Sequence, residues 1–493
     1  MTSLRLSLLF SAIDRYINQI LLVVTTAIMA RILTPAETGL FLMANTLIML
    51  ADSLRSFGIG PFIVQHHTLS RTALRSAFTL TMLISLGMCA LILGTAEAVG
   101  RYYDQPALAG LLRIAAVGFL AGPFGGPSIA LLQRDLAFGR LAVVNTAAVV
   151  ASAAVTIWLG LSGIGAASYV WGYVALGVVS ATFAFAMRPE PWVFRPSLRE
   201  VGGFFSFGAV SSSVAFVNLA SEFLPRLVFG KLLGFDAVGL YARAVTICQL
   251  PNRAIVQALQ PVVLPAMAAH RRNGGHLGEV YLRSHAIMSA IQWPALLMLA
   301  LLAGPAVRVL LGPQWDAVPP LVRVIALGTM ALAPDFMSYP VLVATGRIRD
   351  TLLTALISLP PSVAITITAA HFGLWAVAAS LLVVAPWQML VSLVVVRRAI
   401  DLRWRDLVKA SRASVVLALG TGVGPLGLLL LFSPDGYSLG VYPTLAAVAL
   451  GAAGWLTALR IVRHPIGPEI VGTGRAITAM VARTAGRRAF GRG

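Results

Sequence analysis

Apolar segments long enough to cross a lipid bilayer recur along almost the entire chain. A spanning helix needs about 20 consecutive, mostly apolar residues. Fourteen segments meet this requirement: 9–31, 39–62, 76–99, 107–131, 138–160, 164–187, 204–230, 238–262, 284–311, 317–344, 350–372, 374–396, 411–433 and 439–462. Only 11% of the residues are charged, whereas a soluble domain averages about 25%. The sequence therefore predicts an all-α polytopic membrane protein with about 14 transmembrane helices.

The sequence of one segment recurs in similar form two hundred residues later. Residues 29–44 and 228–244 share a basic residue, a short apolar run, a polar turn and Gly-Leu-aromatic, with Gly39 aligned to Gly239. A second match aligns Pro123 with Pro334. A solenoid repeat has a period of about 20–50 residues. This longer repeat instead predicts two lobes of six helices each, followed by two C-terminal helices without a partner.

The predicted domains follow from this repeat. They are an N-terminal lobe at 1–187, a polar cytoplasmic linker at 188–200, a C-terminal lobe at 201–399, two further helices at 400–463 and a basic cytoplasmic tail at 464–493. Two related lobes are typical of transporters whose substrate path lies between the repeats. The first apolar run leads into Asp14 and Arg15 without a small-residue cleavage site, so it is interpreted as a retained first span.

The net charge of +19 predicts the orientation of the chain in the membrane. If the N-terminus is cytoplasmic, the inside segments carry most of the arginines and lysines, and the outside turns hold only Arg31, Arg101 and Lys231. Cytoplasmic segments of membrane proteins carry such an excess. Both termini are therefore expected in the cytoplasm, and the positive charge is expected to contact anionic lipids of the inner leaflet. No nucleic-acid partner is expected.

Charged side chains inside the predicted spans indicate a polar cavity, because an ionisable group at membrane depth is costly and usually functional. Arginines outnumber acids there, and the guanidinium group matches phosphate through two parallel hydrogen bonds. The excess favours an anionic cargo, such as a lipid pyrophosphate that carries sugars. The predicted substrate-binding residues are Arg15, Arg55, Arg113, Arg253, Asn18 and Asn218. The ion-coupling candidates are Asp52, Glu222 and Asp14.

Some of these residues also have a purely structural interpretation. Asp52 and Arg55 are spaced i,i+3 and Glu222 precedes Arg226 by four residues, so each pair can form within one helix. Arg113 lies near a predicted helix end, from which its guanidinium can extend to the lipid headgroups. The sequence leaves both interpretations open.

The sequence contains no motif that predicts a catalytic or metal site. The seven histidines show no metal-ligand spacing. Residues 422–427, GVGPLG, fit G-x-G-x-x-G but lie inside an apolar span without a preceding strand. Small residues in such a span predict close helix packing. No enzymatic activity and no cofactor are expected, apart from a coupled H⁺ or Na⁺.

Three motifs together resemble the Wzx-type polysaccharide transport family of the multidrug, oligosaccharidyl-lipid and polysaccharide exporter superfamily. They are ARILTPAETGLFLMA at 30–44, GKLLGFDAVGLYARA at 230–244 and LPNRAIVQALQPVVLPAMA at 250–268. The resemblance covers about residues 1–400. It implies a flippase of the bacterial inner membrane that moves an undecaprenyl-pyrophosphate-linked oligosaccharide by alternating access, for O-antigen, exopolysaccharide or capsule synthesis. Membrane lipids, a polysaccharide polymerase and its co-polymerase are the further partners it suggests.

Three alternatives remain open on the sequence alone. A peptidoglycan lipid-precursor flippase also has fourteen helices and a cationic cavity. A multidrug antiporter of the same superfamily normally has twelve helices and acidic sites, so the two extra helices and the arginine excess argue against it. A non-transporting scaffold of a glycan assembly complex is the third alternative.

Overall fold

The computed structural model describes residues 2–56, 58–65, 69–202, 204, 219, 223–251, 267, 275–433, 439–462 and 464–467. Within these residues the regular structure is entirely helical, without a β-strand, which confirms the predicted all-α fold. Three predicted site residues, Asn218, Glu222 and Arg253, lie outside the described residues, as does most of the predicted tail.

The helices are labelled α1 to α18 in chain order. The N-terminal ones are α1 (Thr2–Ile32), α2 (Pro35–Ser56), α3 (Ile59–Gln65), α4 (Arg71–Tyr102), α5 (Pro106–Phe119), α6 (Gly122–Arg134), α7 (Phe138–Leu161) and α8 (Ala167–Met187). Helical backbone at 223–232 and 234–251 forms the described parts of α9 and α10. The others are α11 (Leu277–Leu301), α12 (Ala303–Leu310), α13 (Val318–Met330), α14 (Ser338–Ala344), α15 (Ile348–Ala370), α16 (Leu374–Ile400), α17 (Trp404–Phe432) and α18 (Val441–Val462). Short 3₁₀ helices lie at Pro191–Phe194, Pro313–Trp315 and Asp335–Met337.

Most predicted spans in the described residues overlap a single helix, but four are divided between two helices, including the bent spans at 107–131 and 317–344. The span predicted at 39–62 consists of α2 and α3, because Gly58 between them adopts a left-handed φ of 60° that ends the first helix. The span predicted at 284–311 consists of α11 and α12, which meet at Leu302.

The described residues contain eight helices that are long and apolar enough to cross a membrane, or ten if each of two bent helix pairs counts as one span. The predicted number of fourteen stays a prediction. Its first, seventh and eighth spans extend into residues or side chains that the structure does not describe, and its second is divided at Gly58.

Two spans are sharply bent at matching positions of the repeat. α5 and α6 meet at 50°, and α13 and the segment Asp335–Ala344 meet at 57°. Pro123 and Pro334, which the repeat aligns, lie at these bends, because proline cannot donate the backbone hydrogen bond that a continuous helix requires. Tyr281 and Trp293 of α11 donate hydrogen bonds to carbonyls at the second bend, those of Pro334 at 2.7 Å and Met330 at 2.8 Å.

The chain folds into two compact units. The first comprises Met1–Leu240 with Leu310–Gln314, and the second comprises Tyr241–Val309 with Trp315–Gly493. The first unit extends beyond the predicted linker at 188–200 because residues of α9 and α10 pack on the first four helices, as described below. The bounds of the predicted lobes stay a prediction.

Within the second unit, α17 and α18 pack on α11. Hydroxyl groups of Ser289 and Ser414 are hydrogen-bonded at 2.8 Å, and His285 contacts Ser411 at 2.9 Å. Within the glycine motif at 422–427, a Cβ on Gly424 would lie 2.7 Å from the Cβ of Leu450, so glycine at this position allows the close packing of α17 and α18 that was predicted for the motif.

Candidate functional site

Turns from four parts of the chain meet in the first unit. They belong to residues 30–39 at the start of α2, 102–105 between α4 and α5, 227–239 around the start of α10, and 310–314 after α12. These residues are called the turn cluster here. In the predicted orientation all four turns lie on the outer side of the membrane.

The start of α2 is fixed by a capping box. The Thr34 amide donates to a Glu37 carboxylate oxygen at 2.9 Å, and the Glu37 amide donates to the Thr34 hydroxyl at 3.2 Å. Pro35 occupies the first helical position, where its missing amide hydrogen costs nothing. This turn presents the first helical residues, including Gly39, at a defined angle.

The repeat-equivalent helix starts contact each other reciprocally. A Cβ on Gly39 would overlap the carbonyl of Phe235, and a Cβ on Gly239 would overlap the carbonyl of Pro35. Phe235 is the repeat equivalent of Pro35. Each glycine therefore contacts, in the other repeat, the residue equivalent to the one four positions before it. A reciprocal pattern of this kind is the signature of a local two-fold axis. Two helices can approach this closely only because both positions are glycine.

The other two turns repeat this reciprocity. Lys231 donates to the carbonyl of Tyr102 at 2.6 Å and to the carboxylate of Asp104 at 2.8 Å, so the α4–α5 turn binds the start of the second repeat. Gln314 donates to the carbonyls of Ala30 and Leu33, the latter at 2.9 Å, so the turn after α12 binds the start of the first. The turn cluster therefore joins each repeat to the other in the same way.

A cavity of about 310 Å³ lies at the bend between α5 and α6. Its charged lining residues are Asp52 and Arg55 of α2, and Tyr173 of α8 faces them. Six glycines also line it: Gly60, Gly118, Gly122, Gly125, Gly126 and Gly177. We call this the arginine cavity.

The Arg55 guanidinium is held in the arginine cavity by three contacts. Its Nε and Nη2 donate to one oxygen of Asp52 at 2.7 and 2.5 Å. Its Cζ atom lies 5.8 Å from the centre of the Phe119 ring. A Cβ on Gly122 would overlap Nη1, so this glycine provides the space for the guanidinium. Arg55 is 17% exposed and Asp52 41%. The acid therefore faces the open space more than the arginine does, and an anion entering the cavity would compete with it for the guanidinium.

Two other predicted site residues, Arg113 and Asn18, do not line this cavity. Arg113 forms an ion pair at 2.5 Å with Glu97, and both side chains are exposed. Asn18 lies half-buried on α1. Asp14 and Arg15 lie on the same helix, and their side chains are outside the described part of the structure, as are all atoms of Asn218, Glu222 and Arg253. Of the predicted set, only Asp52 and Arg55 are seen together.

A second cavity, of about 290 Å³, lies at the bend between α13 and α14. We call it the carboxylate cavity, because Asp335 lies at its wall. The sequence did not lead to the selection of Asp335 as a site residue, although it lies within the span predicted at 317–344. The alignment of Pro334 with Pro123 was the available signal, since it predicts matching bends and hence matching cavities.

Comparison with known proteins identifies the family. Residues 28–320, more than half of the chain, match the family described as polysaccharide biosynthesis protein. The chain belongs to this family. The matched region includes the turn cluster and the arginine cavity, as well as both members of the repeat that predicted them.

Relatives within the polysaccharide biosynthesis family share about a quarter of their residues with this chain. The lipopolysaccharide biosynthesis protein WzxC of Escherichia coli is 24% identical over 62% of this chain and 62% of its own length. The succinoglycan biosynthesis transport protein ExoT of Rhizobium meliloti is 28% identical over 66% of each chain. The teichuronic acid biosynthesis protein TuaB of Bacillus subtilis is 24% identical over 66% of this chain and 68% of its own length. The matches to WzxC and ExoT thus span slightly less than two thirds of each relative.

Solved structures establish the fold. The lipid II flippase MurJ in an inward closed conformation aligns with a TM-score of 0.72 over 92% of this chain and 98% of its own, at 14% identity. A MOP superfamily transporter from Pyrococcus furiosus aligns with a TM-score of 0.54 over 80% of this chain and 95% of its own, at 12% identity. This family member therefore has the all-helical fold of the exporter superfamily that the sequence motifs predicted.

Proposed function

We propose that this protein is a flippase that moves a lipid-linked oligosaccharide across the bacterial inner membrane during synthesis of a surface polysaccharide. The observation that carries the proposal is the reciprocal turn cluster. Alternating access requires two related bundles that rock against each other around a substrate path. A contact made by equivalent residues of both repeats, at one end of their helices, is suited to open and close that path.

The contacts of the turn cluster are weak enough to break in each transport cycle. Lys231 and Asp104 are 39% and 83% exposed, and exposed ion pairs contribute about 0–1 kcal/mol. The glycine contacts are van der Waals contacts without a buried charge. Separation of the turns therefore leaves no charged group stranded in an apolar environment.

The nature of the cargo is inferred from two sources. The relatives WzxC, ExoT and TuaB are named for lipopolysaccharide, succinoglycan and teichuronic acid biosynthesis, which are all polysaccharide pathways. The arginine cavity is at the small end of the range of about 300–1,000 Å³ that is usual for ligand pockets. That size suits a pyrophosphate group, and Arg55 supplies the matching cation. Undecaprenyl-pyrophosphate-linked oligosaccharide has both properties, because it carries a sugar chain and a pyrophosphate group.

Reconstitution into proteoliposomes tests the function directly. Vesicles would be loaded with an undecaprenyl-pyrophosphate-linked oligosaccharide, with lipid II, or with a cationic dye, and an impermeant glycosidase or quencher would report movement. We expect movement of the first cargo. Movement of lipid II alone would instead assign a peptidoglycan-precursor flippase, and movement of the dye alone a multidrug antiporter. Folded protein that moves none of the three would favour a scaffold.

A reversible cross-link tests the role of the turn cluster. In a protein whose Cys89 and Cys248 are replaced by serine, the pair Asp104→Cys and Lys231→Cys would be joined by a short cleavable thiol reagent. Flipping should stop and should return on reduction.

The ion pair of Asp135 with Arg188 offers the matched control, because it joins the first repeat to the linker that directly follows it and not to the second repeat. Joining Asp135→Cys to Arg188→Cys in the same way should leave flipping intact. Unchanged flipping with a fully cross-linked turn cluster would contradict the alternating-access role.

A further inference from the structure

One face of α17 changes from basic to apolar along its length. Arg405, Lys409 and Arg412 lie on this face in the first turns of the helix, and all three are exposed. Because residues three or four apart share a face of a helix, the same face continues with apolar side chains. These are Val416, Leu419, Val423, Leu426 and Leu430, which are between 42% and 78% exposed. We call this face the α17 stripe.

The length of α17 places the change from basic to apolar at the surface of the bilayer. The helix has 29 residues, whereas about 20 suffice to cross the hydrocarbon core. About nine residues, 404–412, therefore extend beyond the core. The three cations of the stripe all lie in this extension, at the level of the lipid phosphate groups. In the predicted orientation they belong to the inner leaflet.

The opposite face of α17 is packed within the second unit. Leu407 is 7% exposed and belongs to a buried cluster that includes Leu402 and Tyr281. The Ser411 hydroxyl contacts His285 of α11 at 2.9 Å. These contacts fix the rotation of the helix, so the α17 stripe is held outward.

The cations of the stripe differ from other arginines of the predicted cytoplasmic side in their contacts. Arg75 donates to the carbonyls of Arg195 and Pro196 at 2.9 and 3.1 Å, and Arg134 donates to the carbonyl of Ile63 at 2.8 Å. By contrast, none of the three side chains of the stripe forms a hydrogen bond or an ion pair with the residues that the structure describes. Their charges are therefore available to a ligand from outside the chain.

The turn before α17 adds further positive charge. Residues 397–412 contain six cations and two acids, Asp401 and Asp406, which is an excess of four positive charges. The guanidinium of Arg397 lies over the ring of Trp404 at 5.9 Å. Tryptophan is enriched where a membrane helix meets the headgroup layer, so Trp404 agrees with the depth inferred from the length of α17.

We propose that the α17 stripe binds an anionic phospholipid, whose phosphate group is held by the three cations and whose acyl chains lie along the apolar part. Guanidinium and ammonium groups bind phosphate through charge-assisted hydrogen bonds. A soluble acidic protein would match the cations but not the exposed apolar part. This site is narrower than the general attraction of basic segments to an anionic leaflet, because it requires these three side chains. Neither the binding nor its test depends on the proposed function.

Native mass spectrometry of the full-length protein in a neutral detergent tests the site, with phosphatidylglycerol, cardiolipin or phosphatidylcholine added in turn. We expect tighter binding of an anionic lipid than of phosphatidylcholine. A basic residue near an anionic surface contributes about 1 kcal/mol, which is about fivefold in affinity. The triple variant Arg405→Gln, Lys409→Gln, Arg412→Gln should therefore weaken binding about a hundredfold.

The matched control removes the same charge elsewhere on the predicted cytoplasmic side. Arg195, Arg199 and Arg349 are exposed, and their replacement by glutamine should leave the affinity nearly unchanged. An equal loss in both triple variants would show a general attraction of charge and overturn the proposal. Equal affinity of the wild-type protein for phosphatidylcholine would also overturn it.

Two further measurements guard against misfolding and identify the ligand. Replacement of Arg405 and Arg412 by lysine keeps the charge, so most of the binding should remain in a monodisperse sample. Glycerophosphoglycerol, a headgroup without acyl chains, should not displace the bound lipid. Displacement by this headgroup would indicate a phosphate site instead, and tighter binding of undecaprenyl phosphate would assign the stripe to the cargo lipid. Either result would contradict the proposal.

Discussion

The two bent spans of this protein share a backbone feature and differ in the chemistry beside it. At the first bend, Arg55 is paired with Asp52 and rests against Gly122. At the second bend, Asp335 lies among hydroxyl groups without a cationic neighbour in the cavity wall. The repeat thus supplies two cavities of similar volume, one lined by an arginine paired with a carboxylate and the other by a carboxylate among hydroxyl and amide groups. Equivalent positions in a repeat need not carry equivalent side chains.

The largest effect is expected from the removal of Arg55. Arg55→Ala should lower the flipping rate about a hundredfold or more, because truncation of one partner of a close charge pair costs about 2–5 kcal/mol. The initial flipping rate in proteoliposomes measures the effect.

Two further variants separate function from folding at this position. Arg55→Lys keeps the charge and loses the planar fork, so we expect only partial recovery of flipping. If the pair is merely structural, Arg55→Ala will instead reduce the amount of inserted protein, and replacement of Asp52 together with Arg55 will restore it. That outcome would remove the functional contrast between the cavities.

A smaller effect is expected from filling the space beside the arginine. In Gly122→Ala the new methyl group would overlap Nη1 of Arg55, so the flexible guanidinium must shift, at the low end of the range of about 1–3 kcal/mol for overpacking. Flipping should fall by up to roughly tenfold. Gly110→Ala is the matched control, since Gly110 lies in the same bent span and its Cβ would meet open space. Equal rates for both variants would show that Arg55 does not need its observed position.

The two carboxylates should respond differently to neutralisation. Asp52 would compete with an incoming anion for Arg55, so Asp52→Asn should raise the affinity for inorganic pyrophosphate by up to about fivefold, as expected for a half-exposed ion pair. Asp335→Asn should leave pyrophosphate affinity unchanged, because Asp335 lines the other cavity. Isothermal titration of the detergent-solubilised protein measures pyrophosphate binding. A loss of pyrophosphate binding in Asp52→Asn would mean that the acid supports the site.

The smallest effect is expected outside both cavities. Lys231→Ala removes an exposed ion pair worth about 0–1 kcal/mol, which should raise the population of the open turn cluster by up to about fivefold. A cysteine in place of Leu33, a buried residue of the cluster, would report opening through its labelling rate with a maleimide. Arg349→Ala, in an exposed part of α15, is the control. An unchanged rate would show that this contact does not restrain the cluster.

The helices could be predicted from the sequence because hydropathy depends on local composition. The spans predicted at 138–160 and 374–396 correspond to Phe138–Leu161 and Leu374–Ile400. The break at Gly58 was not predicted, because one left-handed residue hardly changes the mean hydropathy of a segment. Prolines inside spans were noted, but a proline alone does not specify whether a helix bends slightly or by 50°.

The candidate sites were only partly predictable, for a related reason. The Asp52–Arg55 pair follows from spacing within one helix. The space that Gly122 provides for Arg55, and the approach of Ser392 to Asp335, depend on contacts between residues that are distant in the sequence. The repeat was the one long-range signal available, and it correctly aligned the two prolines at the bends.

The turn cluster has a consequence for how this protein tolerates change. In a symmetric homodimer, one mutation at a two-fold contact alters both halves of the contact at once. Here the two halves are encoded separately, so Gly39 and Gly239 can be substituted one at a time. A substitution at one glycine therefore disturbs one half of the contact directly, while each copy of the repeat keeps its own cavity lining.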